Sequence, residues 1–325
     1  MVRKTLSGKL IKQVMRQFKI ILISCLVGLG GLQLMACYSN GAPKEIVPTG
    51  GDTFHIVTVN PKQLDFFERQ PQITFWRSVI SLSKDSCIVV HKDSRRMLDV
   101  ISAKILDSIV EKNQLEITAQ CYQDKNGYER CEPVKFVRGK KEFFNFQKVG
   151  PLVDDAKLIF DEYGVNPIYA QLILLIESPN NPEARSISGA VGHYQLMPFV
   201  AKKYGLVVSA SIDDRHDFAK SSMAAAKLMR DYCIPNAEKM ALSVGLTPNH
   251  SDLWFQLLVM HVYNAGAGNV RKAVQLAGPQ KNGEELILTL WRTHAGAFGN
   301  SSQNYTQLAL ASYINYMYWL NHQPI

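Results

Sequence analysis

The sequence predicts a mainly α protein, with a helical domain over residues 149–325 preceded by a small α+β domain over residues 52–148. Three observations carry that expectation. From Gly150 onward the apolar residues recur at helical spacing, and no convincing strand interrupts them. Helix punctuation repeats along the same region: Asn, Asp or Ser ahead of a periodic stretch, Gly behind it. Short β-branched runs bounded by turn residues occur ahead of it.

Taken in order, Met1–Lys19 carries Arg3, Lys4, Lys9, Lys12, Arg16 and Lys19 and no acidic residue, and Ile20–Leu34 is almost wholly apolar. A basic stretch followed by an apolar run too short for a comfortable membrane span reads as an export signal over residues 1–36. It ends in Leu34-Met35-Ala36-Cys37, which resembles the bacterial lipobox. That resemblance implies cleavage before Cys37, a lipid on the cysteine and attachment to a membrane. Tyr38, where an Asp would signal retention, points to the outer membrane, facing the periplasm. Residues 37–51 form a short Gly/Pro/Ser-containing tether.

In the front domain, Phe54–Val59 and Ser86–His91 are strand candidates, and Ser94–Lys112 carries Met97, Val100, Ile101, Ile105 and Ile109 at helical spacing. Leu115–Val137 reads as a hairpin closed by Asn126-Gly127, a favoured two-residue turn. Phe136, Phe143, Phe144 and Phe146 read as packing against the next domain rather than a sugar platform. In the helical domain, Pro151 opens a helix that Gly164 ends, and Asn166-Pro167 caps the one leading to Glu177. Helices follow over Pro198–Tyr204 and Asp217–Tyr232, then from Asp252 to Tyr263 behind a Ser251 cap. Three more run from an Asn269 cap to Gly278, over Glu284–Trp291, and over Ser302–Leu320.

Glu177 closes the apolar run Leu172-Ile173-Leu174-Leu175-Ile176. Desolvation and the negative end of a helix dipole both disfavour its charged form, which suits a group that must protonate a leaving atom. After Glu177-Ser178 come Pro182, Ala184, Ser186, Gly189-Ala190, Gly192, Gln195 and Met197-Pro198. This spacing resembles the catalytic stretch of the soluble-lytic-transglycosylase family, whose fold is lysozyme-like. Val262-Tyr263-Asn264-Ala265-Gly266 is similar to a second family segment and Gln303-Asn304-Tyr305 to a third, so the resemblance covers roughly residues 150–320. The chain departs from the pattern at Asn180, His193-Tyr194 and Ser301-Ser302.

The resemblance implies a peptidoglycan lytic transglycosylase, a lyase that cleaves the MurNAc-β-1,4-GlcNAc bond of glycan strands. Glu177 serves as acid and then base, the sugar's own hydroxyl attacks, and the product is a 1,6-anhydro sugar. It also implies that Ser186, Gln195, Met197, Tyr263, Asn264 and Tyr305 bind substrate, with no metal and no cofactor. A hydrolase needs a second carboxylate. The candidates, Glu183, Asp213, Asp214 and Asp217, read as loop and helix-start residues, so a lysozyme-type muramidase is one alternative and a non-catalytic peptidoglycan-binding scaffold the other. His193 reads as groove-lining or solvent-facing.

The formal charge of +8 is mostly leader. Removing its six cations leaves about +2, and no basic stripe interleaved with aromatics points to nucleic acid. Outside Cys25 and Cys37, four cysteines remain for an oxidising compartment: Cys87, Cys121, Cys131 and Cys233. Cys121 and Cys131 flank the expected hairpin turn and are placed for a disulfide, which would leave Cys87 and Cys233 as a pair by elimination. No Cys-x-x-Cys spacing supports zinc.

Overall fold

The computed structural model describes residues 57–177 and 181–322. The leader, the tether, Cys37, residues 54–56 and Asn180 lie outside them. Residues 57–60 form no strand; the Val57 N–H donates to Gln171 Oε1 at 3.0 Å. Helices α1 (Pro61–Glu68) and α2 (Pro71–Ser81) both open on proline, whose missing N–H costs nothing in a first turn.

A three-stranded antiparallel sheet follows, in the order β2-β1-β3, from β1 (Ser86–His91), β2 (Met97–Ser102) and β3 (Val134–Arg138). The run Cys87-Ile88-Val89-Val90 is buried on both faces, which places β1 at the centre, with Ile88 opposite Val100 on one side and Val137 on the other. This corrects the single helix expected over 94–112. Its first part pairs with β1 as β2, and only α3 (Ala103–Glu111) is helical, capped by Ser102.

The expected hairpin is also corrected. Leu115–Asn126 is a helix, α4, and Gly127 (φ 70°) is its left-handed C-cap, its N–H turned back to Gln123 and Asp124. Asn-Gly suits either device, because both need a positive φ. Cys121 therefore sits in a helix and Cys131 in the exposed loop beyond it, and no bridge joins them. Cys87, Cys121, Cys131 and Cys233 are all free thiols, so the Cys87–Cys233 pairing falls too.

Helix α5 (Phe146–Glu162) begins ahead of Pro151, which lies inside it, and is capped by Asn145. The chain continues through α6 (Ile168–Leu174), α7 (Pro198–Lys203), a 3-10 turn (Asp214–His216) and α8 (Phe218–Leu228). A π turn (Met229–Cys233) joins α8 to α9 (Ile234–Ser243). Then come α10 (Leu253–Ala265), α11 (Ala267–Ala277), α12 (Gly283–Leu290) and α13 (Asn300–Asn321). Two caps move from their expected places: Asp252 rather than Ser251 precedes α10, and Asn269 lies within α11.

Helix α10 is the hub. Leu253 to Val262 are all buried, and α9, α11, α12 and α13 pack around it. A helix that is apolar on every side must be enclosed on every side. Among the described residues, the boundary expected at residue 148 does not separate two packed bodies, because all of them fall in one compact unit. Helix α2 lies along α13, where Arg77 Nε donates to Asn315 Oδ1 at 3.0 Å and Asn315 Nδ2 donates back to the Arg77 carbonyl at 3.0 Å. Of the phenylalanine cluster, Phe144 is buried and Phe146 packs on Tyr316 and Trp319 of α13, whereas Phe143 is exposed.

Candidate active site

Asn166 Oδ1 accepts the N–H of Ile168 at 3.0 Å and so starts α6, all of whose residues are buried. The backbone turns once more beyond the helix, the Glu177 N–H reaching the Ile173 carbonyl at 2.9 Å. Glu177 thus emerges from the core half-buried at the end of a rigid apolar support. Tyr305 of α13 donates its hydroxyl to Glu177 Oε1 at 2.7 Å. Loss of water around the carboxyl pushes its pKa up to about 7, against the opposing pull of the Tyr305 hydrogen bond. A carboxyl balanced there can give a proton and take it back near neutral pH.

Tyr263 stands on the same side. Its hydroxyl donates to the Tyr194 carbonyl at 2.5 Å. Burial first, and then the negative charge of Glu177, hold that phenol protonated. Asn264, next along α10, is exposed.

The loop after Glu177 is tied down at many points. Ser186 Oγ accepts the Ala190 N–H at 2.9 Å, and the Ser186 N–H donates to the Ala190 carbonyl at 2.9 Å. Gly192 has φ 81°, and a Cβ there would strike the Arg215 carbonyl, so backbone conformation and space both require glycine. Gln195, itself at φ 45°, donates through Nε2 to the carbonyls of Ala184 and Gly192 at 3.1 and 2.9 Å. Met197 is half-buried at the cap of α7.

Arg215 fastens this loop from below. Only 4% exposed, its guanidinium grips Asp213 through Nε and Nη2 at 2.8 and 2.7 Å. Its Nη1 donates to the carbonyls of Gly189 and Leu196, each at 2.9 Å. Sequence reasoning missed Arg215, because its position in Asp213-Asp214-Arg215 looks like a solvated turn. The one local signal is an Arg directly after two acids, Asp213 and Asp214.

Each remaining carboxylate near the motif has a structural task. The Arg215 hydrogen bonds hold Asp213 below the usual carboxylate range, and Lys220 with the Val207 N–H does the same for Asp214. Asp217 caps α8 through the Lys220 N–H, and Glu183 is exposed beside His216. His193 corrects the expectation of a groove or solvent position: it is 5% exposed, lies edge-on to Phe218, and burial lowers its pKa.

The structure therefore joins Glu177 to Tyr305, sets Tyr263 beside them, and gives Ser186 and Gln195 to the framework of the motif loop. Residues 158–286 match the family model described as the Transglycosylase SLT domain. Two curated proteins are each 29% identical over 109 residues, covering 34% of this chain and 21% of their own length. They are the membrane-bound lytic murein transglycosylases D of Escherichia coli K12 and of Escherichia coli O6:H1, so the match spans about a fifth of these relatives. A solved structure of an inactive mutant of lytic transglycosylase Slt from Pseudomonas aeruginosa aligns with TM-score 0.37 and 16% identity. That alignment covers 82% of this chain and 38% of that one. The likeness to the Transglycosylase SLT domain extends over residues 158–286.

Proposed function

We propose that this protein is a peptidoglycan lytic transglycosylase in which Glu177 alone performs the acid and base steps. The observation that carries this reading is a desolvated carboxyl with its pKa near 7, hydrogen-bonded by Tyr305, among acids already bound to other tasks. Protonated Glu177 gives its proton to the glycosidic oxygen between MurNAc and GlcNAc as that bond breaks. The resulting carboxylate takes the proton of the MurNAc C6 hydroxyl, whose oxygen closes on C1. No water is consumed, and a 1,6-anhydro end results.

The substrate is the glycan strand of peptidoglycan. The SLT family match and the names of the relatives support that choice. The leader and Leu34-Met35-Ala36-Cys37 support export and a lipid anchor at Cys37, in the outer membrane facing the periplasm. Mass spectrometry of digested sacculi tests the reaction. Muropeptides lighter by one water than those of a lysozyme digest are expected, whereas reducing ends that take up labelled oxygen from water would make the enzyme a hydrolase. Fatty-acid labelling of the chain and of Cys37→Ser tests the anchor, and equal labelling of both would refute it.

A further inference from the structure

Two phenols act on Glu177, and they come from different helices: Tyr263 from α10 and Tyr305 from α13. A hydrogen bond inside the core joins the same two helices. His261 of α10, two residues before Tyr263, has no exposed surface, and its Nε2 meets Thr306 Oγ1 at 3.0 Å. Thr306 directly follows Tyr305 on α13 and is itself fully buried. Its Oγ1 also receives the Trp291 Nε1–H at 2.8 Å, so one hydroxyl ties α10, α13 and the end of α12 together. The Ser302 carbonyl, one turn earlier on α13, bonds the same ring. His261 therefore grips α13 on both sides of Tyr305 in sequence.

Burial pushes the imidazole pKa down to about 3, against the pull of that carbonyl, so the ring stays neutral across the range in which Glu177 titrates. Shape alone indexes α13 poorly. Ala309, Ala311 and Ser312 are buried along it, and apolar contact between small side chains has no preferred direction. A hydrogen bond does have one. The surface of a helix lies about 5–6 Å from its axis, so a rotation of roughly 10° carries a side-chain tip by about 1 Å. That is enough to take the Tyr305 hydroxyl from 2.7 Å to a distance at which no hydrogen bond survives. Gln307 and Asn304 are held from the front by Trp76 and Arg95; His261 holds the face turned to the hub.

We infer that His261 is a positioning residue: through Thr306 it fixes the rotation of α13 that keeps the Tyr305 hydroxyl on Glu177. Its value for turnover rests on the transglycosylase reading above, whereas the placement of the phenol does not.

The test uses the full chain and reads Glu177 in two ways. One is the rate at which anhydro ends form. The other needs no turnover: NMR titration of isotope-labelled glutamate carboxyls, with Glu177→Gln assigning the signal. Thr306→Val keeps the shape and removes the hydroxyl. It is expected to lower kcat by about tenfold to hundredfold at unchanged KM, the cost of a misplacement near 1 Å. With Tyr305 withdrawn the carboxylate loses a donor, so the Glu177 pKa and the alkaline limb of the rate–pH profile should rise together by about one unit. Thr306→Ser keeps the hydroxyl and is expected to restore both. In a Tyr305→Phe chain, Thr306→Val should add no further rise, because the contact it controls is already gone. Melting temperature reports folding. His261→Phe, which leaves Thr306 its Trp291 bond, carries the same expectations if Thr306→Val does not fold. A folded variant with the parent's pKa at Glu177 overturns the inference, as does a further rise on top of Tyr305→Phe. The expected pKa shift without any anhydro ends from the parent keeps the inference and overturns the catalytic reading.

Discussion

Residues 57–148 and the helical region behind them differ in kind. The rear holds the motif, Glu177 and the buried hub α10; the front holds a small sheet and the four helices α1 to α4, and among the described residues the side chain hydrogen-bonded to Glu177, Tyr305, comes from the rear. Yet the front anchors α13 on the side away from the hub at several points. Trp76 bonds Gln307, Arg77 and Asn315 bond each other twice, Arg95 reaches Asn304 at 2.8 Å, and Tyr313 reaches the Val57 carbonyl at 3.2 Å. Tyr305, the direct partner of Glu177, sits among these anchors and outside the matched residues 158–286. Glu177 and Tyr305 belong to one region, and several of the anchors around Tyr305 to the other.

The largest effect expected is on the acid. Glu177→Gln should fold and lose cleavage by at least about 10²–10⁴-fold, since Gln matches the shape but carries no transferable proton. Residual turnover near that of the parent, read as anhydro ends, would move the chemistry elsewhere.

Next, the front should not melt alone. Phe67 is fully buried and meets Trp291 with ring centroids 5.7 Å apart. Phe67→Ala should cost about 3–5 kcal/mol and lower one calorimetric transition for the whole body. Two transitions, with the rear unmoved, would make the regions independent.

Tyr305→Phe sharpens the coupling. The hydrogen bond favours the carboxylate, so removing it raises the Glu177 pKa further, and the alkaline limb of the rate–pH profile should move up by about one unit. An unmoved or lowered limb would refute that role.

Stability gives a smaller reading of the same carboxyl. Its folded pKa lies above the unfolded one, so the stability tied to its proton is present below about 4.5 and lost as pH rises through about 7. Glu177→Gln should therefore gain roughly 1–3 kcal/mol over the parent at pH 8 and little at pH 4, seen as a widening gap in melting temperature. Smallest of all, Cys131→Ser, at an exposed free thiol, should stay within about 0.5 kcal/mol. A loss of several kcal/mol under oxidising conditions would restore the bridge.

Legibility followed the same divide. Glu177, the loop glycines and most helices of the rear could be read because motif spacing and helical period agree there. Tyr305 could be read only through the family resemblance, since nothing local to α13 marks it. In the front, the period misled. Met97–Ser102 carries helix-spaced apolar residues but supplies the edge that β1 needs, and Asn126-Gly127 closes a helix with the geometry that also closes a hairpin. Arg215 was hidden for another reason. The carbonyls it serves, on Gly189 and Leu196, come close only once the loop has folded over it.

The position of Tyr305 also sets a clock. Synthesis delivers Glu177 long before residue 305, and the carboxyl stands without its hydroxyl partner until α13 arrives and docks on α2, which was made first. A partly made chain therefore carries the carboxyl without its phenol, and the pair forms only after the two ends of the folded body have met.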